Sequence, residues 1–216
     1  MIFETLVKRF EAQQNSKNAE VMSAYLRYQF SFFGVPSPQR RLLYKDVIAA
    51  AKKSKSIDWD LLNQAWCHPH RELDYFVCDY LKAMQKHLTY ADVPKILTYA
   101  TSHQWWDTID YFDRILGNIA DTRISELMLE LSLSEDFWLR RIAIDHQLGR
   151  KDDTDTELLS KIIKNNFGSS EFFINKAIGW ALRDYSKTNP DWVRSFVQEN
   201  KHQMAPLSIP EASKYL

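Results

Sequence analysis

Apolar residues recur at intervals of three and four along most of the chain, with polar residues between them. This is the spacing of an α-helix that buries one face against a core. No strong alternation of apolar and polar residues, which would indicate a half-buried strand, competes with it. The longest apolar stripe consists of Leu73, Phe76, Val77, Tyr80, Leu81 and Met84. The pattern therefore predicts an all-α protein.

Capping residues and prolines mark where the predicted helices begin and end. Ser37, followed by a proline, is typical of a helix start. Thr89 is a suitable cap for the helix that begins at residue 93. Asn189 and Pro190 end one helix at about Ser186 and begin the next. Together these signals predict helices over residues 40–51, 59–65, 93–101, 157–166 and 191–200.

The predicted helices are joined by short turns. About a dozen helices of roughly ten to fifteen residues fit a solenoid of helix pairs that repeats about every 35 to 40 residues. A globular helical bundle would contain the same helices and stays open as the alternative. Because the chain has no linker or low-complexity segment, we expect one domain over residues 1–216.

Composition narrows the class of protein. Five Gly and seven Pro are too few for a sheet-rich fold with many tight turns. The two cysteines, Cys67 and Cys78, are too few for a disulfide framework, which favours a reducing compartment. The chain shows no signal peptide and no stretch of about 18 apolar residues. We therefore expect a cytoplasmic protein with no membrane partner, and a monomer.

The net charge and the possible metal ligands exclude fewer classes of protein than the composition does. The 28 basic and 28 acidic residues give a formal net charge of +0, whereas nucleic-acid-binding domains are usually basic. A neutral chain can still present one basic face if its acidic residues lie elsewhere. The segment Cys67-His68-Pro69-His70, taken with Cys78, fits no standard zinc spacing, and its proline breaks the helical geometry. We expect no metal and no cofactor.

Residues 105–110, Trp-Trp-Asp-Thr-Ile-Asp, are the most informative segment. On a helix, Trp106 and Asp110 are four residues apart and share one face. Trp105 points about 100° away from Trp106, so one core is not expected to bury both, and Trp105 is the better core candidate. An indole face and a carboxylate both attract positive charge. The segment predicts a cleft for a cationic, ring-shaped ligand, although a helical tryptophan is more often a core residue.

Two later segments add cations. Arg140 and Arg141 project from the edges of a predicted buried face, where they are either solvated or bind phosphate through the guanidinium fork. Lys176 and Arg183 lie four before and three after Trp180 on its helical face, a rim that suits a nucleic-acid backbone. Within the same helix, Gly179 costs about 1 kcal/mol relative to Ala. That cost indicates close approach of another backbone or a ligand.

Aromatic residues alternate with arginines between residues 24 and 41, including Tyr25, Arg40 and Arg41. The turn Gly34-Val35-Pro36 leads into a helix N-terminus, whose free N–H groups can bind an anion. An ordinary helix–turn–helix with solvated arginines is the alternative.

Taken together, these segments resemble the bacterial AlkD-type DNA alkylation repair glycosylases, a family of HEAT-like helical-repeat proteins. The resemblance covers nearly the whole chain, and the order and spacing of its pieces carry it. The matching pieces are Phe33-Gly34-Val35, Pro38-Gln39-Arg40-Arg41, His70-Arg71-Glu72, Tyr75-Phe76, Asp79-Tyr80-Leu81, Trp105-Trp106-Asp107-Thr108-Ile109-Asp110, Trp138-Leu139-Arg140-Arg141, Lys176-Ala177-Ile178-Gly179-Trp180-Ala181-Leu182-Arg183, Lys187-Thr188-Asn189-Pro190 and Leu207-Ser208.

The resemblance implies a HEAT-like α-α superhelix that excises N3- and N7-alkylated purines from double-stranded DNA, without a deep pocket for the base. It implies a catalytic carboxylate at Asp110 and cleft tryptophans at Trp106 and Trp180. The residues expected to contact DNA are Tyr25, Arg40, Arg41, Arg140, Arg141, Lys176 and Arg183, with Arg141 as the phosphate-binding arginine of the family.

Two other functions fit the same scaffold. A catalytically inactive family member would bind DNA structures with a strong salt dependence and release no base. A protein–protein scaffold, the common use of helical solenoids, would show no salt-dependent affinity for DNA.

Overall fold

The computed structural model describes residues 2–216, which form fourteen α-helices and no strand. The all-α prediction is therefore confirmed. The chain divides into two compact units, Met1–Leu88 and Thr89–Leu216, and the single domain expected over residues 1–216 stays a prediction. In the described part of the chain, no helix is both long enough and apolar enough to cross a membrane.

Six helices build the first unit. They are α1 (Ile2–Glu11), α2 (Ser16–Tyr25), α3 (Ser37–Leu43), α4 (Lys45–Ser54), α5 (Trp59–Trp66) and α6 (Arg71–Ala83). The single helix predicted over residues 40–51 is wrong, because the chain turns at Tyr44 between α3 and α4. The buried Tyr44 hydroxyl donates to the Asp79 carboxylate at 2.5 Å and accepts from Arg40 Nε at 3.1 Å. The turn thus brings an aromatic ring into the core.

Eight helices build the second unit. They are α7 (Val93–Ala100), α8 (Trp106–Gly117), α9 (Arg123–Leu131), α10 (Phe137–Asp145), α11 (Thr156–Lys164), α12 (Phe172–Ser186), α13 (Pro190–Asn200) and α14 (Ser208–Ala212). Helix α10 packs between α8 and α12, while α9 packs on α11 and both also contact α10. Two such rows of alternate helices are what stacked helix pairs produce in a repeat protein.

The other predicted helix boundaries hold to within about two residues, the usual uncertainty of helix ends. Asn189 caps α13 by accepting the Trp192 N–H at 3.0 Å, and α12 ends at Ser186 as predicted. Thr89 precedes a short 3-10 turn, Tyr90–Asp92, which runs into α7. Ser37 is the first residue of α3 rather than its cap.

Candidate functional site

Trp106 and Asp110 lie on α8, four residues apart, as the sequence predicts. The helix begins at Trp106 because Trp105 is extended, with φ −160°. The Trp105 ring joins an aromatic cluster, with centroids 5.8 Å from Trp138 and 5.6 Å from Phe173. Both adjacent tryptophans are half-buried, so Trp105, the expected core residue, is not fully enclosed.

Arg141 on α10 holds Asp110 through a two-pronged ion pair. Its Nε donates to Asp110 Oδ1 at 2.8 Å and its Nη2 to Oδ2 at 3.0 Å, the fork geometry that makes such pairs strong. A third N–H, on Nη1, donates to the Phe173 carbonyl at 2.8 Å. The guanidinium carbon lies 5.8 Å from the centre of the Trp180 ring. One buried arginine, 3% exposed, therefore links Asp110 to Trp180 across the row α8, α10 and α12.

Two further carboxyl groups lie beneath this pair. Asp145, the last residue of α10, is 0% exposed, and within residues 2–216 neither of its oxygens has a hydrogen bond. The Arg141 guanidinium lies nearby, with Nη2 3.8 Å from Oδ2. Asp113 on α8 is also buried, and its Oδ2 lies 3.5 Å from Arg114 Nη1. Burial raises the pKa of Asp145 to about 7 and that of Asp113 well above its ordinary value.

The three carboxyl groups of Asp110, Asp113 and Asp145 are the one acidic cluster in residues 2–216 compact enough for a cation, with oxygens within 4.8 Å of one another. Two guanidinium groups already lie against the cluster, from Arg141 and Arg114. Burial acts to lower the pKa of Arg141, but the carboxylates of Asp145 and Asp110 outweigh it and the pKa is raised. Arginine thus supplies the positive charge here, and we assign no metal to the cluster.

Lys176 and Arg183 flank Trp180 on α12, as predicted, and both are held by Glu211 of α14. Lys176 Nζ lies 2.5 Å from Glu211 Oε2, and the Arg183 guanidinium pairs with Oε1. The Arg183 guanidinium carbon is 5.9 Å from the centre of the Trp180 ring. The hydrogen bond from Lys176 is the main reason that the pKa of Glu211 is lowered.

Gly179 is what lets α14 approach so closely. A Cβ at this position would lie 2.6 Å from Glu211 Cβ and 2.8 Å from Glu211 Cγ. The close approach predicted from this glycine is therefore made by the C-terminal helix.

Of the two adjacent arginines on α10, Arg140 is half-buried and its Nε has no hydrogen-bond partner among residues 2–216. Arg141, in contrast, is buried and its fork is occupied by Asp110. Arg140 is therefore the better placed of the two for a phosphate.

In the first unit, Tyr25 ends α2 and is 72% exposed. Arg40 is only 4% exposed, with Nη2 3.3 Å from Asp79 and its guanidinium 4.3 Å from the centre of the Tyr75 ring. The Arg41 side chain is 58% exposed and lies 3.5 Å from the same Asp79. Both arginines stay predicted DNA contacts, and of the two Arg41 is the better placed because its charge is exposed to solvent.

Sequence reasoning missed Asp113, Asp145 and Glu211. Asp145 directly follows the apolar run from Ile142 to Ile144, and a carboxylate on a buried helical stretch is a signal in itself. No comparable signal points to Glu211, which lies 35 residues from Lys176 in the chain.

A family model described as DNA alkylation repair enzyme matches residues 6–216. A solved structure described as a predicted DNA alkylation repair enzyme from Enterococcus faecalis is 35% identical, with a TM-score of 0.83. The match covers 94% of this chain and 96% of that one. No curated protein matches the chain. The predicted helical-repeat fold is confirmed by this similarity.

Proposed function

The chain belongs to the DNA alkylation repair enzyme family, and from this premise we propose that it is a DNA glycosylase. Its role is in DNA repair and its partner is DNA. The proposed reaction is hydrolysis of the N-glycosidic bond of cationic N3- and N7-alkylated purines in duplex DNA. The observation that carries the proposal is the Asp110 carboxylate, which is linked through Arg141 to Trp180 and keeps 12% of its side chain exposed.

The chemistry calls for one well-placed carboxylate. When the glycosidic bond of an alkylated purine breaks, the electron pair leaves with the base, which departs neutral. The sugar is left with positive charge shared between C1′ and the ring oxygen. A carboxylate beside C1′ stabilises that charge and orients the water that attacks C1′. Asp110 takes this role, the water proton passes to Asp110 or solvent, and an abasic site remains.

The surrounding side chains have supporting roles in this proposal. Trp106 and Trp180 turn indole faces toward the cationic sugar and base, which the ring quadrupole favours. Arg141 holds the Asp110 carboxylate in one orientation, since both of its oxygens are bound. Lesions of this class are already weakly bonded to the sugar, so the reaction needs no deep pocket for a flipped base.

Contacts with the DNA backbone are assigned to exposed and half-exposed cations. In the second unit these are Arg140, Lys176 and Arg183, and in the first unit Arg41 with the exposed Tyr25. Phosphate contacts of this kind position a protein on DNA and make its affinity fall with salt.

Single-turnover release of 7-methylguanine from methylated duplex DNA tests the proposal, with Asp110→Asn beside wild type. We expect release by wild type and its loss in Asp110→Asn, because the amide cannot stabilise a developing cation. Asp191→Asn is the charge-matched control, since Asp191 lies on the solvent side of α13 and forms an ion pair with its neighbour Arg194. That variant should release base at the wild-type rate.

Other outcomes point to the two alternative functions. Release at equal rates by wild type and Asp110→Asn would overturn the role of Asp110. Salt-dependent DNA binding without release by folded wild type would indicate an inactive DNA-structure binder. Absence of any salt-dependent DNA affinity would favour a protein–protein scaffold.

A further inference from the structure

We propose that Asp145 is a positioning residue for Asp110: by taking up or releasing a proton, it sets how tightly Arg141 holds the Asp110 carboxylate. The inference rests on the proposed glycosylase function and adds a residue that never touches substrate. Its starting point is that two carboxyl groups share one guanidinium. Arg141 binds Asp110 at 2.8 and 3.0 Å and has Asp145 only 3.8 Å from its Nη2.

The surroundings of Asp145 disfavour a permanent negative charge on its carboxyl group. It is the last residue of α10, where the helix dipole places partial negative charge. It is completely buried, and neither oxygen accepts a hydrogen bond. A buried carboxylate without such bonds is strongly unfavourable, so the group is easily protonated. Asp145 is therefore a carboxyl group that changes charge rather than a permanent anion.

Burial raises the pKa of Asp145, and the charged groups around it shift that pKa further in both directions. The charged groups facing Asp145 are Asp110, Asp113 and Arg114 on α8, Arg141 on its own helix and Asp184 on α12. No residue of α9 or α11 in the described chain forms an ion pair with Asp145, although both helices pack on α10. The adjacent His146 is neutral in this range, because burial lowers its pKa to about 4. Burial, set against Arg141, raises the pKa of Asp145 to about 7.

The charge of Asp145 changes what Asp110 presents to substrate. While Asp145 is neutral, Arg141 pairs with Asp110 alone, and the two charges cancel near C1′. Once Asp145 ionises, Arg141 is drawn between two carboxylates and the net charge beside the sugar becomes negative. A developing cation at C1′ is then better stabilised. Base release should therefore accelerate as pH rises through neutrality.

The first test reads the charge on Asp145 without DNA. The Trp180 indole ¹⁵N–H resonance of the full chain is followed with pH, since Arg141 lies 5.8 Å from that ring. We expect a titration near pH 7 in wild type and its loss in Asp145→Asn, which is nearly the same size. Asp113→Asn is the matched control from the same cluster and should keep the titration. A resonance that does not titrate, or that titrates equally in Asp145→Asn, overturns the proposal.

The second test reads the consequence for the reaction. Single-turnover release of 7-methylguanine from wild type should rise several-fold between about pH 6 and pH 8. Asp145→Asn should stay at the lower rate throughout, whereas a purely structural role would change the rate without removing the step. An unchanged pH profile in Asp145→Asn overturns the positioning role. Absence of release at any pH, with the Trp180 titration intact, would overturn the glycosylase function and leave the shared guanidinium standing.

Arg114→Gln keeps the proposal testable if Asp145→Asn does not fold. Arg114 is 39% exposed in its side chain, so its loss is tolerable, and its charge favours ionised Asp145. Its removal should shift the Trp180 titration and the step in the rate profile to higher pH together. Midpoints that stay where they are in wild type would contradict the proposal.

Discussion

Glu72 in the first unit and Asp145 in the second are both completely buried, yet they differ in hydrogen bonding and in their position on the helix. Glu72 lies in the first turn of α6, where the helix dipole favours negative charge. Its two oxygens accept three backbone N–H groups, from Phe33, Gly34 and Val35, at 3.0, 2.8 and 3.1 Å. Asp145 lies at the opposite end of its helix and accepts none.

The difference separates a structural carboxylate from a functional one. Glu72 fastens residues 33–35 to α6, and each of its contacts stabilises the fold. Asp145 contributes no comparable contact, and its burial works against stability. Groups kept in such positions are frequent at functional sites, where an altered affinity for a proton is useful.

The largest effect is expected from Glu72→Ala. Removing the carboxylate leaves three backbone N–H groups buried without partners, each costing about 1 to 3 kcal/mol. We expect a loss in the free energy of unfolding on the order of 4 kcal/mol, measured by urea denaturation at neutral pH. Asp145→Asn, which also removes a buried carboxylate but keeps the size of the side chain, should not destabilise the protein under the same conditions. Equal losses in the two variants would abolish the distinction.

The pH dependence of stability should differ between wild type and Asp145→Asn. Since the folded pKa of Asp145 is about 7 and its ordinary value is 3.8, the folded state binds a proton that the unfolded state has released. The free energy of unfolding therefore falls as pH rises from about 4 to about 7, and it levels off above pH 7. The fall amounts to at most about 4 kcal/mol, at about 1.4 kcal/mol per pKa unit.

Urea denaturation of both proteins between about pH 4 and pH 8 measures this contribution. Asp145→Asn should lack it and become more stable than wild type at the upper end of the range. Asp113, whose pKa is also raised by burial, is present in both proteins, so the difference between the two curves, rather than either slope, is the quantity to examine. Parallel curves would show that Asp145 keeps an ordinary affinity for its proton.

A smaller change is expected from Arg141→Lys, which breaks the link between the two acidic groups and keeps the charge. A lysine ammonium cannot bind both Asp110 oxygens in the plane of a fork. We expect single-turnover base release to fall by about 10- to 100-fold, because the carboxylate is no longer held in one orientation. Affinity for duplex DNA, measured by fluorescence anisotropy, should change little. A large loss of affinity with an unchanged rate would instead make Arg141 a phosphate ligand.

How much of this site the sequence predicts depends on how far apart in the chain the interacting residues lie. Trp106 and Asp110 could be placed on one helical face because four residues of separation make them neighbours on any α-helix. The pair of Arg141 with Asp110 joins residues 31 apart, and no local pattern reports which helix packs on which. The family resemblance identified both residues, but it did not indicate that they bind each other.

The helices, too, are predicted where the signal is local and missed where it depends on distant residues. The helix at residues 93–101 follows from apolar period and a cap, both of which are local. The turn at Tyr44 does not follow from a local pattern. The Tyr44 hydroxyl donates a hydrogen bond to Asp79, which lies 35 residues away in the chain. Gly179 is an intermediate case. Its cost within a helix indicated a close neighbour, and only the fold shows that the neighbour is Glu211 on α14.

The smallest effect concerns a third acidic residue, Glu211, which binds two cations at once beside Trp180. Glu211→Gln keeps the size of the side chain and removes the charge, so Lys176 and Arg183 become available to phosphates. We expect duplex DNA to bind about three- to tenfold more tightly, and the slope of log affinity against log salt to steepen by about one to two.

Asp191→Asn again serves as the control, because it changes net charge equally while freeing only Arg194 on α13. If both variants strengthen binding alike, net charge alone explains the gain and the two cations beside Trp180 do not contact DNA. If only Glu211→Gln does, the acidic residue on the C-terminal helix moderates the affinity of the cationic rim.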